Sequence, residues 1–482
     1  MTRTGSPWLS LFEVLEVTVG RLWDPIQAGS EPNFSACAID SRALEGGELF
    51  IPLPGSHADG HDFVTAALQG KAGGSLVRAG RAPSADWHRA GKPVIEVRDP
   101  LAALQALGRH CRSRASIPTI AVTGSNGKTT TKEMIAAVLG TARTVHKNVG
   151  NLNNQIGVPL TLCRLRPEHE ALVIELGMSA RGEIEFLASL CRPTVGVLTI
   201  ASAAHLEQLG SVEEVARAKS ELAAAIPSDG LLVLNADDPL LWEMNRHRHV
   251  PIKSYALDNP EADLRPTQIA TSATGGTRFT LSDGTIVSLS LLGRHNARNA
   301  LAAIAVGDHL GIPRDRAAAA LGALRPTRHR LELIESKRGI AIVDDVYNAN
   351  PASMREALAL LGSMDTGGAR RAVLADMLEL GPGAEALHEE VGGLVPRDAW
   401  LYVAGTHAHA VERGARAAGL PASRVRVFVD VPAMAAAVAK DAKRGDLVLV
   451  KASRGMRLER VVEALEPGAA SAPDALATAG RD

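Results

Sequence analysis

Thr123-Gly124-Ser125-Asn126-Gly127-Lys128-Thr129-Thr130 is the stretch on which the fold of this chain turns. Just before it, Ile120-Ala121-Val122 is a short apolar strand. Just after it, Met134, Ile135, Val138 and Leu139 recur at helical spacing, which predicts a helix over 130–139. The loop therefore joins a strand to a helix. Its glycines let backbone N–H groups face an anion, and the amino end of the helix adds partial positive charge. Lys128 can neutralise β- and γ-phosphate charge, and the Thr129 hydroxyl can ligate Mg²⁺. The usual spacing GxxxxGK[ST] would put its first glycine at Val122; the glycine stands at 124 instead, a shortened GxxGKT form. Strand, loop, Lys-Thr and helix agree on a nucleotide site. A kinase, a regulatory ATPase and a ligase would all satisfy it.

Working outward, further buried-strand runs lie at 171–174, 195–200 and 231–234, each followed by a loop or helix pattern. That alternation builds a parallel α/β sheet. Residues 279–290 read as a hairpin about Ser282-Asp283-Gly284, and an Ala-rich helix follows over 297–310. Past 324–326, short apolar strands at 340–343, 372–374, 401–403 and 447–450 alternate with helical stretches, the pattern of a second, Rossmann-like layered domain. Upstream, the chain to Arg114 mixes short strands with turns at Gly46-Gly47, 52–55, Gly73-Gly74 and Gly91, and leaves through a helix over 101–114. The expected organisation is α/β in three domains, 1–114, 115–323 and 324–466, with a disordered Ala/Ser/Pro/Gly-rich tail over 467–482.

Composition narrows the classes. At roughly 150 residues per domain, 482 residues make about three. Lys and Arg number 52 against 53 Asp and Glu, a formal net charge of −1, which argues against a nucleic-acid coat or a polybasic membrane binder. Aromatic residues are 3%, too few for a platform that stacks single-stranded bases. No run reaches the roughly 18 apolar residues of a membrane helix, and Glu13 and Glu16 interrupt the first 19 residues as a signal peptide. Cys37, Cys111, Cys163 and Cys191 are widely spaced with no CxxC, which reads as reduced thiols in a cytoplasmic enzyme. His407 and His409 read as solvated loop residues, and Pro54, Gly55 and Gly60 exclude the helix that would align His57 and His61 as a zinc pair.

Other runs stand out along the chain: Asn151-Leu152-Asn153-Asn154-Gln155-Ile156-Gly157, Glu175-Leu176-Gly177-Met178, Ala204-His205-Leu206-Glu207 and Ala218-Lys219-Ser220-Glu221. In the third block are Asp344-Asp345-Val346-Tyr347-Asn348-Ala349-Asn350-Pro351 and Lys451-Ala452-Ser453-Arg454-Gly455-Met456. Together with the phosphate loop these resemble the Mur ligases of peptidoglycan synthesis, over essentially the whole chain except the tail. Within that family the Asp-Asp-x-Tyr-Asn-Ala-Asn-Pro run points to the member that adds D-alanyl-D-alanine. The resemblance implies a three-domain architecture: an N-terminal substrate domain, a central ATPase sheet and a C-terminal Rossmann-like domain. It implies ATP and Mg²⁺ as cofactors, UDP-N-acetylmuramoyl-tripeptide (UDP-MurNAc-tripeptide) and D-Ala-D-Ala as substrates, an acyl-phosphate intermediate and a monomer. A folylpolyglutamate-type ligase shares the short phosphate loop, and a nucleotide-gated binding protein without ligase chemistry would also use it.

The site residues follow from the motifs and the resemblance together. Gly124, Ser125, Asn126, Gly127, Lys128, Thr129 and Thr130 cradle the phosphates. Glu175 ends a strand at the carboxyl edge of the sheet, where a hard oxygen suits Mg²⁺; alone it reads equally as a solvated strand-end acid. By resemblance, His205 is a ligand of a second Mg²⁺. Lys219, on an amphipathic helix with Val212, Val215, Ala216 and Leu222, would become a ligand once carbamylated by CO₂. The resemblance also assigns Asn299 to adenine and ribose, and Arg330 and Asp345 to ATP. Arg330 reads equally well as one of three solvated linker arginines with Arg325 and Arg328. Asp344 and Asp345 are adjacent on a strand, so only one faces the site. Tyr347, Asn348 and Asn350 form a polar loop suited to a zwitterionic dipeptide, and Lys451 and Arg454 to an acyl phosphate or the dipeptide carboxylate. Ser41, Arg42, Asp59 and His61 resemble the UDP-substrate domain. Ala375 and Ala452 stand where the family usually has glycine.

Overall fold

The computed structural model describes residues 9–23, 32–55, 58–81 and 84–467. His57 and the expected disordered tail from residue 468 lie outside them. The central sheet has six strands, all parallel, in the order Ile252–Tyr255, Leu231–Asn235, Val195–Leu198, Thr119–Thr123, Ala171–Glu175, Val145–Lys147. Thr119–Thr123 and Ala171–Glu175 are buried at every position, because helices cover both faces. The faces alternate residue by residue. Ile120 and Val122 pack with the helices Lys128–Leu139 and His295–His309, whereas Ala121 packs with Pro100–Ser113, Glu183–Cys191 and Val212–Ala224.

From Thr119–Thr123 the chain first runs to one edge of the sheet and later to the other. That reversal opens a crevice at the carboxyl ends of the middle strands, where ligands of such sheets sit. The C-terminal sheet also has six strands: Ala341–Asp345, Leu447–Lys451, Arg370–Leu374, Trp400–Ala404 and Val425–Phe428 are parallel, and Glu332–Glu335 adds antiparallel at one edge. The N-terminal sheet has five short strands, of which Arg21–Leu22 alone is antiparallel.

Several details differ from the sequence expectation. The strand expected to reach residue 200 ends at Leu198. There the backbone turns so that the Thr199 hydroxyl can donate to Asn126 O at 2.6 Å, bracing the phosphate loop. The expected hairpin is a three-stranded sheet, joined by Gln268–Thr271, whose mostly exposed positions give no apolar signal. Cys37, Cys111 and Cys163, distant in sequence, are buried in one apolar cluster where the N-terminal and central sheets meet, and all four cysteines are free. Cys111 and Cys37 beside it, with burial, push the Cys163 thiol pKa well up. His407 is not a solvated loop residue: it stands just before the helix Ala408–Ala417, and its ring stacks on buried His388 with centroids 4.4 Å apart. Ala375 and Ala452 are buried in the C-terminal core, and their methyls line no part of the cleft described next. No described helix is long and apolar enough to cross a membrane.

Candidate active site

The phosphate loop owes its shape to two glycines in left-handed backbone. At Gly124 (φ 156°) a Cβ would fall 1.8 Å from Thr199 Oγ1. At Gly127 (φ 80°) it would fall 2.6 Å from Asn299 Oδ1. No L-side chain fits at either position. Ser125 N–H donates to Ile200 O at 2.6 Å and tethers the loop to the neighbouring strand end. Lys128 folds back over the loop, its ammonium donating to Gly124 O at 2.7 Å and Ser125 O at 3.3 Å. Burial lowers its pKa; the nearby Glu175 carboxylate opposes that shift and Arg330 adds to it. A cation covered this way, hydrogen-bonded only to carbonyls, is ready to trade them for phosphate oxygens.

The loop opens into a cavity of about 350 Å³ between the central and C-terminal sheets. Ser125 to Thr130, Glu175, His205, Lys219, Asn299, Arg330, Asp345, Tyr347, Asn348, Asn350 and Lys451 all line it, brought together from two sheets. Of the sequence candidates here, Gly124 lies beneath the loop and Arg454 beside Tyr347, just outside the lining.

Glu175 is buried and fixed by three neighbours. The Thr129 hydroxyl donates to Oε2 at 2.7 Å, the Asn153 amide to Oε1 at 2.7 Å, and Glu175 N–H to Asn148 Oδ1 at 2.9 Å. Asn153 and Asn148 were not named as site residues from the sequence; Asn153 sits inside the Asn-Leu-Asn-Asn run, its one signal, and Asn148 had none. Lys219 is buried, with neither a hydrogen bond nor an ion pair among the described residues. Burial, reinforced by the charge of Lys128, drives its pKa well down and favours the neutral amine. His205 stands in left-handed backbone (φ 56°) and places Nδ1 2.6 Å from the Glu379 carboxylate of the C-terminal domain.

The donor set suits Mg²⁺. Thr129 and Glu175 offer hard oxygens. No group of three His, Cys, Asp or Glu that could hold a metal occurs among the described residues. Two protein oxygens are what Mg²⁺ commonly takes from a protein where substrate phosphates supply further ligands.

Across the cleft, Arg330 sits between two left-handed residues, His329 (φ 64°) and Leu331 (φ 50°). Its guanidinium lies 3.8 Å from the centroid of Tyr347, and its buried Nε has no partner. An arginine held like this is not a solvated linker residue; it is a poised donor at the cavity wall. His329 Nδ1 pairs at 2.7 Å with Asp344, which is fully buried and away from the cavity. Asp345 therefore faces in, as the strand alternation requires. Its Oδ2 lies 2.5 Å from Lys451 Nζ, which also donates to Asn348 O at 3.0 Å. Lys451, expected to meet an acyl phosphate or a carboxylate, is here matched by Asp345.

Asn350 caps the helix Pro351–Ser363 and exchanges two amide hydrogen bonds with Asn126 of the phosphate loop, at 3.0 and 2.7 Å. Asn299 is packed against Gly127, with its amide donating to Asn296 Oδ1 at 3.0 Å.

The four N-terminal candidates lie apart from this cavity. Arg42 is exposed and grips Asp40 with two bonds of 2.9 and 2.7 Å. His61 is buried with both ring nitrogens used: Nδ1–H donates to Asp59 at 2.7 Å and Nε2 accepts Arg78 N–H at 3.1 Å. Asp59 also pairs with Arg81. His61 thus braces its loop and has no ring nitrogen left for a ligand. A smaller cavity of about 100 Å³ lies next to Ser41 and Arg42, between Cys37 to Asp40 and Ala43 on one side and His146, Lys147 and Arg164 on the other.

A strand-end phosphate loop, a buried carboxylate bonded to the loop's threonine hydroxyl, a bare buried lysine and a facing Rossmann-like sheet define a class, and family models agree with it. Residues 33–112 match the Mur ligase family catalytic domain, 122–307 the Mur ligase middle domain, and 329–454 the Mur ligase glutamate ligase domain. The chain belongs to the Mur ligase family. Among its relatives is UDP-N-acetylmuramoyl-tripeptide–D-alanyl-D-alanine ligase of Bacillus subtilis, 40% identical over 433 residues, covering 89% of this chain and 92% of that one. A crystal structure of MurF from Acinetobacter baumannii superposes with a TM-score of 0.82 at 28% identity, covering 95% of this chain and 99% of that one. MurF ligase from Thermotoga maritima, solved in complex with ADP, superposes with a TM-score of 0.77 at 28% identity, covering 90% and 97%.

Proposed function

We propose that this chain is the ATP-dependent ligase that joins D-Ala-D-Ala to UDP-MurNAc-tripeptide, giving UDP-MurNAc-pentapeptide, ADP and phosphate. One observation carries the reading. A single cavity is lined by the phosphate loop, Glu175 and Lys219 from the central domain and by Asp345 to Asn350 from the C-terminal domain. The relatives' names agree with it.

A carboxylate is a poor acylating agent because oxide would have to leave. Its oxygen therefore attacks the γ-phosphorus, ADP departs, and an acyl phosphate forms. The dipeptide amine then adds to the carbonyl carbon, phosphate leaves, and the amine gives up a proton. Two anions must first be brought together, so positive charge and positioning dominate. Lys128 and Arg330 face the cavity from opposite walls and would hold the transferring phosphoryl group. Mg²⁺, when bound, would neutralise phosphate oxygens; Thr129 and Glu175 would hold one ion. His205 and the carbamate of Lys219 would hold a second. Carbamylation needs a neutral amine to attack CO₂ with loss of a proton, and the partnerless, buried Lys219 amine meets that need.

Tyr347, Asn348 and Arg454 would receive the dipeptide. Asn299 and Asp345 would contact the nucleotide, and Ser41 and Arg42, beside the smaller cavity, the uridine diphosphate. The three blocks 1–114, 115–323 and 324–466 would thus carry the UDP-peptide, ATP and the dipeptide, in a cytoplasmic monomer.

The test is phosphate release from ATP and Mg²⁺ with UDP-MurNAc-tripeptide, with and without D-Ala-D-Ala, using both the diaminopimelate and the lysine tripeptide. Mass spectrometry reads the product. Release that needs both substrates, with a product heavier by one dipeptide less water, supports the reading. Release indifferent to either substrate leaves a nucleotide-gated binding protein. Lys128→Ala lowers turnover by at least about 10²–10³-fold, the scale of one lost transition-state donor; turnover unchanged in that variant contradicts the site.

A further inference from the structure

The contact between His205 and Glu379 joins two domains at the edge of the cavity, and neither residue is there by relaxed geometry. His205 has φ 56° and Glu379 has φ 64°, both left-handed and neither glycine. Such backbone is unfavourable for a residue that carries a side chain and persists only where the surroundings impose it.

The surroundings do impose it. Glu207 N–H donates to Glu379 O at 3.2 Å across the domain boundary. Gly381 (φ 66°) brings its backbone so near that a Cβ would fall 3.3 Å from Glu207 Cα. On its own domain the loop is anchored twice more: Met377 N–H donates to His388 Nε2 at 2.9 Å, and Leu378 N–H to Ser453 Oγ at 2.9 Å. The Glu379 carboxylate is thereby delivered to His205 Nδ1 at 2.6 Å. The other ring nitrogen, Nε2, has no partner among the described residues, and the ring lines the cavity that holds Glu175 and Lys219.

We propose that Glu379 is a positioning residue: arriving with the C-terminal domain, it takes the Nδ1 proton of His205 as a hydrogen bond and aims the Nε2 lone pair into the metal site. An imidazole ligand is commonly fixed in tautomer and orientation by a carboxylate on its far nitrogen. Here the carboxylate comes from the other domain. The second metal position is complete only when the domains meet, so closure and metal binding are coupled. The inference rests on His205 being a metal ligand, as proposed above.

Mn²⁺ serves as the probe. Its binding to the full-length protein, with a non-hydrolysable ATP analogue and UDP-MurNAc-tripeptide present, is counted by electron paramagnetic resonance. Wild type is expected to bind two ions. Glu379→Ala weakens the second by about 10–100-fold and leaves the first unchanged, the usual cost of removing such a partner. Glu379→Gln, whose amide oxygen still reaches Nδ1–H, retains more of the affinity than Glu379→Asp, which keeps the charge but is one methylene short. This pair decides the matter even if the alanine variant folds poorly. His205→Ala loses the second ion. If His205→Ala loses it and no Glu379 variant does, the role of Glu379 is wrong and His205 stands. If His205→Ala also binds two ions as wild type does, the metal reading of His205 fails and the inference falls with it. Equal weakening of both ions in the Glu379 variants makes the residue merely structural and overturns the proposal.

Discussion

Lys451 and Asp345 show how much of this site depends on single charges. Lys451 is almost wholly buried, and its ammonium is matched by one carboxylate at 2.5 Å and one carbonyl at 3.0 Å. Removing one member of a buried pair leaves the other charge uncompensated, which costs about 3–5 kcal/mol. Asp345→Ala is therefore expected to lower stability by about that amount in urea denaturation. Asp345→Ala with Lys451→Met should regain most of it, because no buried charge remains. A double variant as unstable as the single one would show that the pair is not what holds this strand end. Activity should not return in the double variant, since Asp345 lines the cavity.

At the scale of elements, the strand Val145–Lys147 and the helix Gly157–Leu162 are joined by a histidine. His146 Nε2–H donates to Thr161 O at 2.9 Å, and its ring stacks on His169 at 4.7 Å. Burial pushes its pKa down from 6.5 to about 4; the Thr161 carbonyl opposes the shift, and His169, Arg166 and Arg164 add to it. Between those two values the unfolded chain holds the proton and the folded chain does not. Stability therefore falls as the pH drops from about 6.5 towards about 4, by up to about 2–3 kcal/mol from this residue. His146→Gln keeps an N–H donor for Thr161 but cannot titrate. Between about pH 7 and about pH 4.5 it should lose less stability than wild type in denaturant titrations; parallel losses would clear His146 of the effect.

At the scale of the whole molecule, the central and C-terminal domains meet at the edge of the ATP site. Asn126 and Asn350 exchange two amide hydrogen bonds, and Glu356 receives Arg298 at 3.1 Å and His295 at 3.6 Å. Asn350 has a second duty as the cap of its helix. Asn350→Ala should thus lower stability by about 1 kcal/mol and slow ligation. Asn350→Ser restores the cap but is too short to reach Asn126. Its melting temperature should recover while D-Ala-D-Ala-dependent turnover stays about 5–30-fold down, the worth of one or two hydrogen bonds at ~1 kcal/mol each. Recovery of both together would make the inter-domain amide pair irrelevant to turnover.

The sequence by itself determined the local chemistry and the class of fold. A phosphate loop is a contiguous object: strand, two glycines, Lys-Thr and helix lie within 21 residues, and each is dictated by near-neighbour geometry. The parallel sheets were legible for the same reason, since strands buried on both faces read as short apolar runs. The strand pattern placed Glu175 at the carboxyl edge of the sheet, whereas Lys219 and Asp345 were picked out by the resemblance to the Mur ligases rather than by any period. Exposed Gln268–Thr271 carried no such signal, so the third strand beside the hairpin was missed. The tertiary structure alone decided which side chains distant in sequence become partners. Nothing local to Lys451 says that Asp345 will neutralise it, nothing near Cys163 announces Cys37 and Cys111, and nothing around His205 points to Glu379. Those pairings are set by strand pairing within a sheet and by the packing of one domain on another, which join residues from about fifty to more than a hundred and seventy positions apart, where a sequence has no period to read.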